Sequence, residues 1–229
     1  MRNASSPVMR RRRILLLGCA VLPLLLTPRI APASAYEDYF RAVKLDRAPV
    51  VKSLLARGLD PNIIEPQRGD TGLMLALREN SNRVFEVLVD APGIDYEIKG
   101  ANGDNALMIA CYKQNKPAVQ ALIAHGAEVN RPGWTPLHYA ASVGNDDLVK
   151  LLLDESAYID AESPNKTTPL MMATLGGHIM TVKLLMDEGA DATLRNALGL
   201  NAIDIANMHG FTDIAQGLTY RLQKAGKLP

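Results

Sequence analysis

Between Arg131 and Leu153 the chain reads RPGWTPLHYAASVGNDDLVKLLL, which gathers Trp134, His138, Asp146 and Asp147 into one short stretch. An imidazole near two carboxylates has the side chains for general acid–base work or for holding a metal, and an indole can stack on a ligand. Cys111 adds a thiol, and His125, His178 and His209 complete the histidines. The spacing argues against that chemistry. No two histidines lie at the short interval on one helix face that a zinc site needs. There is no HExxH, no glycine-rich phosphate loop before a lysine, no nucleophile elbow and no paired-cysteine motif. Neither catalytic residues nor a metal or cofactor is expected.

Residues 1–35 have the layout of a secretory signal peptide: basic MRNASSPVMRRRR, apolar ILLLGCAVLPLLL and small-residue APASA. Cleavage is expected after Ala35. The apolar run Ile14–Leu26 is 13 residues, whereas a bilayer core asks for about 20, so no stable membrane span is expected. A lipid-anchored alternative rests on Cys19 in LLGC, but it leaves the apolar AVLPLLL at the mature terminus. The arginines before Ile14 also fit a twin-arginine signal, so the export route stays open.

Of the 25 basic residues, six arginines precede Tyr36, leaving 19 bases against 24 acids and a net charge of −5. Phosphate backbones demand a concentrated basic face, and no basic run survives cleavage, so a nucleic-acid partner is not expected. Cleavage also removes Cys19 and leaves Cys111 alone. With no internal disulfide available, stability must come from packing.

The elements that position these side chains repeat. Segments with an apolar residue two positions and an alanine five positions from their start are TGLMLA at Thr71, NALMIA at Asn105, TPLHYA at Thr135, TPLMMA at Thr168 and NAIDIA at Asn201. Their spacings are 34, 30, 33 and 33 residues, and a weaker copy, EDYFRA, starts 34 residues before Thr71. Each is followed by a second apolar segment with intervals of three and four, as in Leu148, Leu151 and Leu152. Each unit therefore reads as two antiparallel helices, with units at about 36–69, 70–103, 104–133, 134–166, 167–199 and 200–229. Thr71, Asn105, Thr135, Thr168 and Asn201 are good N-cap residues, able to accept a hydrogen bond from a free amide. Pro136 and Pro169 suit the first helical position. Asp146 and Asp147 are expected to cap the second helix of their unit and favour its dipole.

GWTPLHYAASVGNDDLVKLLLDESAYID and TTPLMMATLGGHIMTVKLLMDEGADA resemble the ankyrin repeat, and the likeness extends from Tyr36 to about Leu222. It implies an all-α solenoid of about six helix-turn-helix units joined by short hairpin fingers, with no enzymatic activity and a monomeric state. It also implies that His138 hydrogen-bonds Thr135 and that Cys111 is a buried packing residue. A concave groove, lined by first helices and bordered by fingers, would bind a protein partner.

On that pattern the finger positions hold Asp70, Asp104, Trp134, Thr167 and Leu200. The first-helix pairs are Lys44 and Leu45, Arg78 and Glu79, Tyr112 and Lys113, Ser142 and Val143, Leu175 and Gly176, Met208 and His209. Tyr112, Trp134, Val143, Leu175, Leu200 and Met208 form an apolar and aromatic run, the candidate partner-binding residues. The 30-residue spacing shortens the finger between Asn130 and Trp134, and Pro132 with Gly133 suits the tight turn this requires. A notch beside Trp134 is expected. The expected role is an exported interaction module in a Gram-negative periplasm; the alternatives are a secreted effector acting on a host protein and an exported metal-dependent factor. Intact-mass measurement of the mature protein should place its first residue at Tyr36, whereas a lipidated Cys19 terminus would show membrane tethering instead.

Overall fold

A helix starts where a side chain can satisfy its free amides, and the chain supplies such a residue once per unit. A computed structural model describes residues 32–227, and these form twelve α-helices in six antiparallel pairs. The pairs are α1 (Pro32–Lys44) with α2 (Ala48–Ala56), α3 (Gly72–Glu79) with α4 (Asn82–Val89), and α5 (Ala106–Tyr112) with α6 (Lys116–Ala124). They continue as α7 (Pro136–Ser142) with α8 (Asp146–Asp154), α9 (Pro169–Leu175) with α10 (Ile179–Asp187), and α11 (Ala202–Met208) with α12 (Thr212–Lys224). The expected leader and Cys19 lie outside the described residues, apart from the start of α1, whose first turn contains Ala35.

Thr71, Thr168, Asn105 and Asn201 each accept the amide three residues on, at 2.9–3.4 Å. Thr135 differs in its partner: it forms a capping box with His138, whose Nδ1 accepts the Thr135 amide at 3.2 Å and lies 2.8 Å from the Thr135 hydroxyl. Asp146 and Asp147 also differ, since the N-cap of α8 is Asn145, which accepts the Leu148 amide at 3.0 Å. The two aspartates occupy the first turn, where their charge favours the dipole.

First helices pack on first helices and second helices on second helices along the stack. The interface repeats the motif: Leu73, Leu107, Leu137 and Leu170 are buried, as are Ala76, Ala110, Ala140, Ala173 and Ala206, whose small side chains let backbones approach. Cys111 is fully buried beside Ala110, and burial pushes its thiol well above the usual range. The turn within each pair uses a left-handed residue at a fixed place: Asp46, Asn80, Gln114, Gly144, Gly177 and Gly210. Gly144 has a second reason to be glycine, since a Cβ there would meet the His178 ring at 2.5 Å.

Side chains also stitch successive loops. Asn62 donates to the Gly93 carbonyl at 2.7 Å and accepts the Asp95 amide at 2.9 Å; Asn130 repeats this with Ser156 and Tyr158. The fingers are hairpins closed by Glu65 N to Asp70 O, Gly100 N to Asp104 O, Ser163 N to Thr167 O and Asn196 N to Leu200 O, at 2.9–3.1 Å. Adjacent fingers join through Ala101 N to Arg68 O and Ala197 N to Asn165 O, both 2.8 Å.

At the amino-terminal end, Tyr39 stands where later units place leucine or isoleucine, and Gly72 faces it where they place alanine or proline. A Cβ on Gly72 would lie 1.9 Å from the Tyr39 hydroxyl. That hydroxyl is buried without a hydrogen-bond partner. Gly72→Ala should therefore cost about 1–3 kcal/mol through overpacking. Tyr39→Phe, which removes an unsatisfied group, should leave stability unchanged or raised. Urea denaturation of both variants checks the pair.

Candidate functional site

The shortened third finger creates the most distinctive surface of the molecule. Among the described residues no hairpin bond spans Asn130–Trp134; Gly133 instead turns with φ +87° and lies against Pro164 of the next finger. Arg131 folds into the vacated space. Its side chain is only 6% exposed, and Nη1 stands 3.4 Å from Glu97, which also accepts hydrogen bonds from Asn105 and from the Glu128 amide.

Beside this turn lies a cavity of about 280 Å³ lined by Tyr112, Trp134, His138, Tyr139, Ser142 and Met172. The carboxyl-terminal end of α5 brings Tyr112, α7 brings His138, Tyr139 and Ser142, and α9 brings Met172. Trp134 precedes the α7 cap and is half-buried, meeting His138 edge to face at 5.2 Å. Tyr112 is 57% exposed and meets Tyr139 at 6.4 Å and 88°.

His138 anchors this wall. A carbonyl can only accept, so Nε2 donates to the Thr167 carbonyl at 2.8 Å, which ties α7 to the fourth finger. Nδ1 then accepts from the Thr135 hydroxyl at 2.8 Å and from the Thr135 amide at 3.2 Å. Both nitrogens are used inside the protein. Burial pushes the His138 pKa down to about 4, so the ring is neutral at pH 7.

Three finger positions expected to face the groove, Asp70, Asp104 and Thr167, are instead buried. Asp70 and Asp104 turn inward and share Arg78, whose Nε lies 2.8 Å from Asp70 and whose Nη2 lies 3.5 Å from Asp104. The Tyr139 hydroxyl also donates to Asp104. Burial first, and then this carboxylate, pushes the Tyr139 hydroxyl above its ordinary range. Thr167 is likewise buried, its amide held by Ser163 Oγ at 2.9 Å.

Of the six residues singled out from the sequence, the cavity brings together Tyr112 and Trp134. Val143, Leu175, Leu200 and Met208 fall outside its lining, though Leu175 and Met208 are exposed at the ends of α9 and α11. Sequence reasoning missed Tyr139 and Met172. Both hold the fifth place of the repeated motif, where Leu75, Ile109 and Ile205 are buried, whereas these two are half-buried and line the cavity. The remaining histidines do not line the cavity: His178 Nε2, from the next unit, contacts the Ser142 carbonyl, His125 pairs with Asp90, and His209 stacks on Phe211. Among the described residues no three His, Cys, Asp or Glu side chains converge as a metal site. None of the described helices is long and apolar enough to cross a membrane.

Helix pairs stacked in register and joined by hairpin fingers define an ankyrin solenoid. The family model described as ankyrin repeats (3 copies) matches residues 39–132, 73–165 and 137–225, and the chain belongs to the ankyrin-repeat family. It is 32% identical over 160 residues to human transient receptor potential cation channel subfamily A member 1, covering 65% of this chain and 14% of that protein. It is 31% identical over 176 residues to human SH3 and multiple ankyrin repeat domains protein 2, covering 75% and 10%. This chain thus spans a small part of these relatives. The crystal structure of the Bcl-3 ankyrin repeat domain superposes with a TM-score of 0.66 at 27% identity, covering 78% of this chain and 81% of that one. The repeats constitute a protein–protein interaction fold.

The neutral, buried state of His138 has a pH signature. A histidine with a native pKa near 4, against 6.5 when unfolded, contributes stability that is fully present above pH 6.5 and declines as pH falls toward 4. The decline attributable to His138 should be on the order of 3 kcal/mol. Urea melts between pH 7.5 and 4 should show it in the parent protein and lack it in His138→Gln.

Proposed function

We propose that this protein is an exported, non-enzymatic interaction module that holds a protein partner in its concave groove, with the cavity beside Trp134 as the anchor point. One observation carries the reading: the shortened finger leaves Trp134, Tyr112 and Tyr139 around an open cavity of about 280 Å³. Folding does not require aromatic side chains there, since Leu75 and Ile109 serve the place of Tyr139 in other units. Tryptophan and tyrosine are over-represented among the residues that dominate interface energy, above all where a pocket excludes water. The leader-like composition of residues 1–35 supports export, with a Gram-negative periplasm as the compartment. The ankyrin fold supports the interaction role, and the partner's identity is left to the groove chemistry.

The test separates binding from stability. With a partner captured by co-purification from the native compartment, Trp134→Ala should weaken its affinity at least tenfold, roughly 1.4 kcal/mol. The effect on melting should be smaller, and Tyr112→Ala, at an exposed position, should weaken binding with almost none. Lys44→Ala at the charged end should change affinity little. A large melting loss with unchanged affinity would assign Trp134 to covering the core under the short finger.

A further inference from the structure

The walls of the cavity beside Trp134 also indicate what enters it, given that the groove is the binding surface. They are aromatic and steeply inclined: Tyr112 meets Tyr139 at 88°, and Trp134 meets His138 at 77°. The faces of such rings carry negative quadrupole potential, which attracts a cation in a way that an aliphatic wall does not. Tyr139 strengthens this. Its hydroxyl donates to the carboxylate of Asp104, and a phenol that donates to an anion has a more electron-rich ring.

Charge behind the wall has the same sign. Asp70 and Asp104 are both buried and have one cation between them, Arg78, so the group is net negative. Asp70 Oδ1 has no hydrogen-bond partner. The wall itself adds no positive charge at pH 7, since His138 is neutral there, and Lys113, next to Tyr112, is exposed and lines no part of the cavity. From Pro32 onward acids outnumber bases 24 to 19, so a basic partner is also favoured at longer range.

We propose that the cavity receives an arginine side chain from a basic segment of the partner, its guanidinium stacked on the aromatic walls and drawn toward the Asp104 group. Arginine is favoured over lysine because its planar guanidinium stacks on rings and is more weakly hydrated, so it loses less on entering an apolar enclosure. A leucine or phenylalanine would fill the space but leave the carboxylate group without its counter-charge.

Trp134 is the only tryptophan in the chain, so its fluorescence reports on the cavity directly. The purified protein would be titrated with N-acetyl-arginine amide, with the neutral isostere N-acetyl-citrulline amide, and with N-acetyl-leucine amide. The arginine probe should give a saturable change with a dissociation constant about tenfold or more below both neutral probes, weakening as salt is raised. Tyr112→Leu keeps an apolar wall but removes a ring face; it should weaken the arginine probe several-fold and leave the leucine probe no weaker. Equal or tighter binding of either neutral probe, or no saturable change with arginine, overturns the proposal. If Trp134→Ala still weakens partner binding in that case, the groove reading survives and the arginine assignment alone falls.

Discussion

A pair of short antiparallel helices has apolar surface on both flanks and cannot bury it alone. The stacked architecture of this protein follows from that constraint. Leu107 and Leu137 are removed from water only because neighbouring pairs close over them, and each fully buried leucine is worth about 1.5–3 kcal/mol. The alanines one turn further along α3, α5, α7, α9 and α11 bring those helices close enough for the burial to be complete. Polar side chains that cross between units, such as Asn62, Asn130 and His178, then fix the register that packing alone leaves loose.

His138 shows how the same logic reaches the groove. Its ring serves its own helix through Thr135 and the next finger through Thr167 O, so a residue of catalytic type is consumed by structure. With both nitrogens bonded and the pKa near 4, it is neither a base nor a ligand at pH 7. What it provides is a rigid surface against which Trp134 stands. The shortened finger then leaves that indole, together with Tyr112 and Tyr139, around an open cavity while its neighbours remain closed hairpins.

The period and the caps were legible in the sequence because both are local: a threonine or asparagine before an apolar run needs no knowledge of the distant chain to begin a helix. The notch was legible for a similar reason, since three missing residues must be missing from somewhere. The inward turn of Asp70 and Asp104 was not legible, because it depends on Arg78, in the last turn of α3, reaching both the finger before its own helix and the finger that follows. Arg131 was hidden likewise, since its burial depends on Glu97 in the preceding finger. Tyr139 and Met172 looked like ordinary core residues at a repeated position. Their partial exposure depends on a cavity that opens between neighbouring units, which the motif alone does not carry.

The central claim is that the cavity beside Trp134 is the surface a partner covers. Acrylamide quenching of the single tryptophan, measured on the free protein and on its complex with the captured partner, tests this most directly. Free Trp134, half-buried at the cavity edge, should be readily quenched, and the complex should reduce its quenching constant several-fold. An unchanged quenching constant in a saturated complex would place the partner elsewhere on the solenoid and contradict the account.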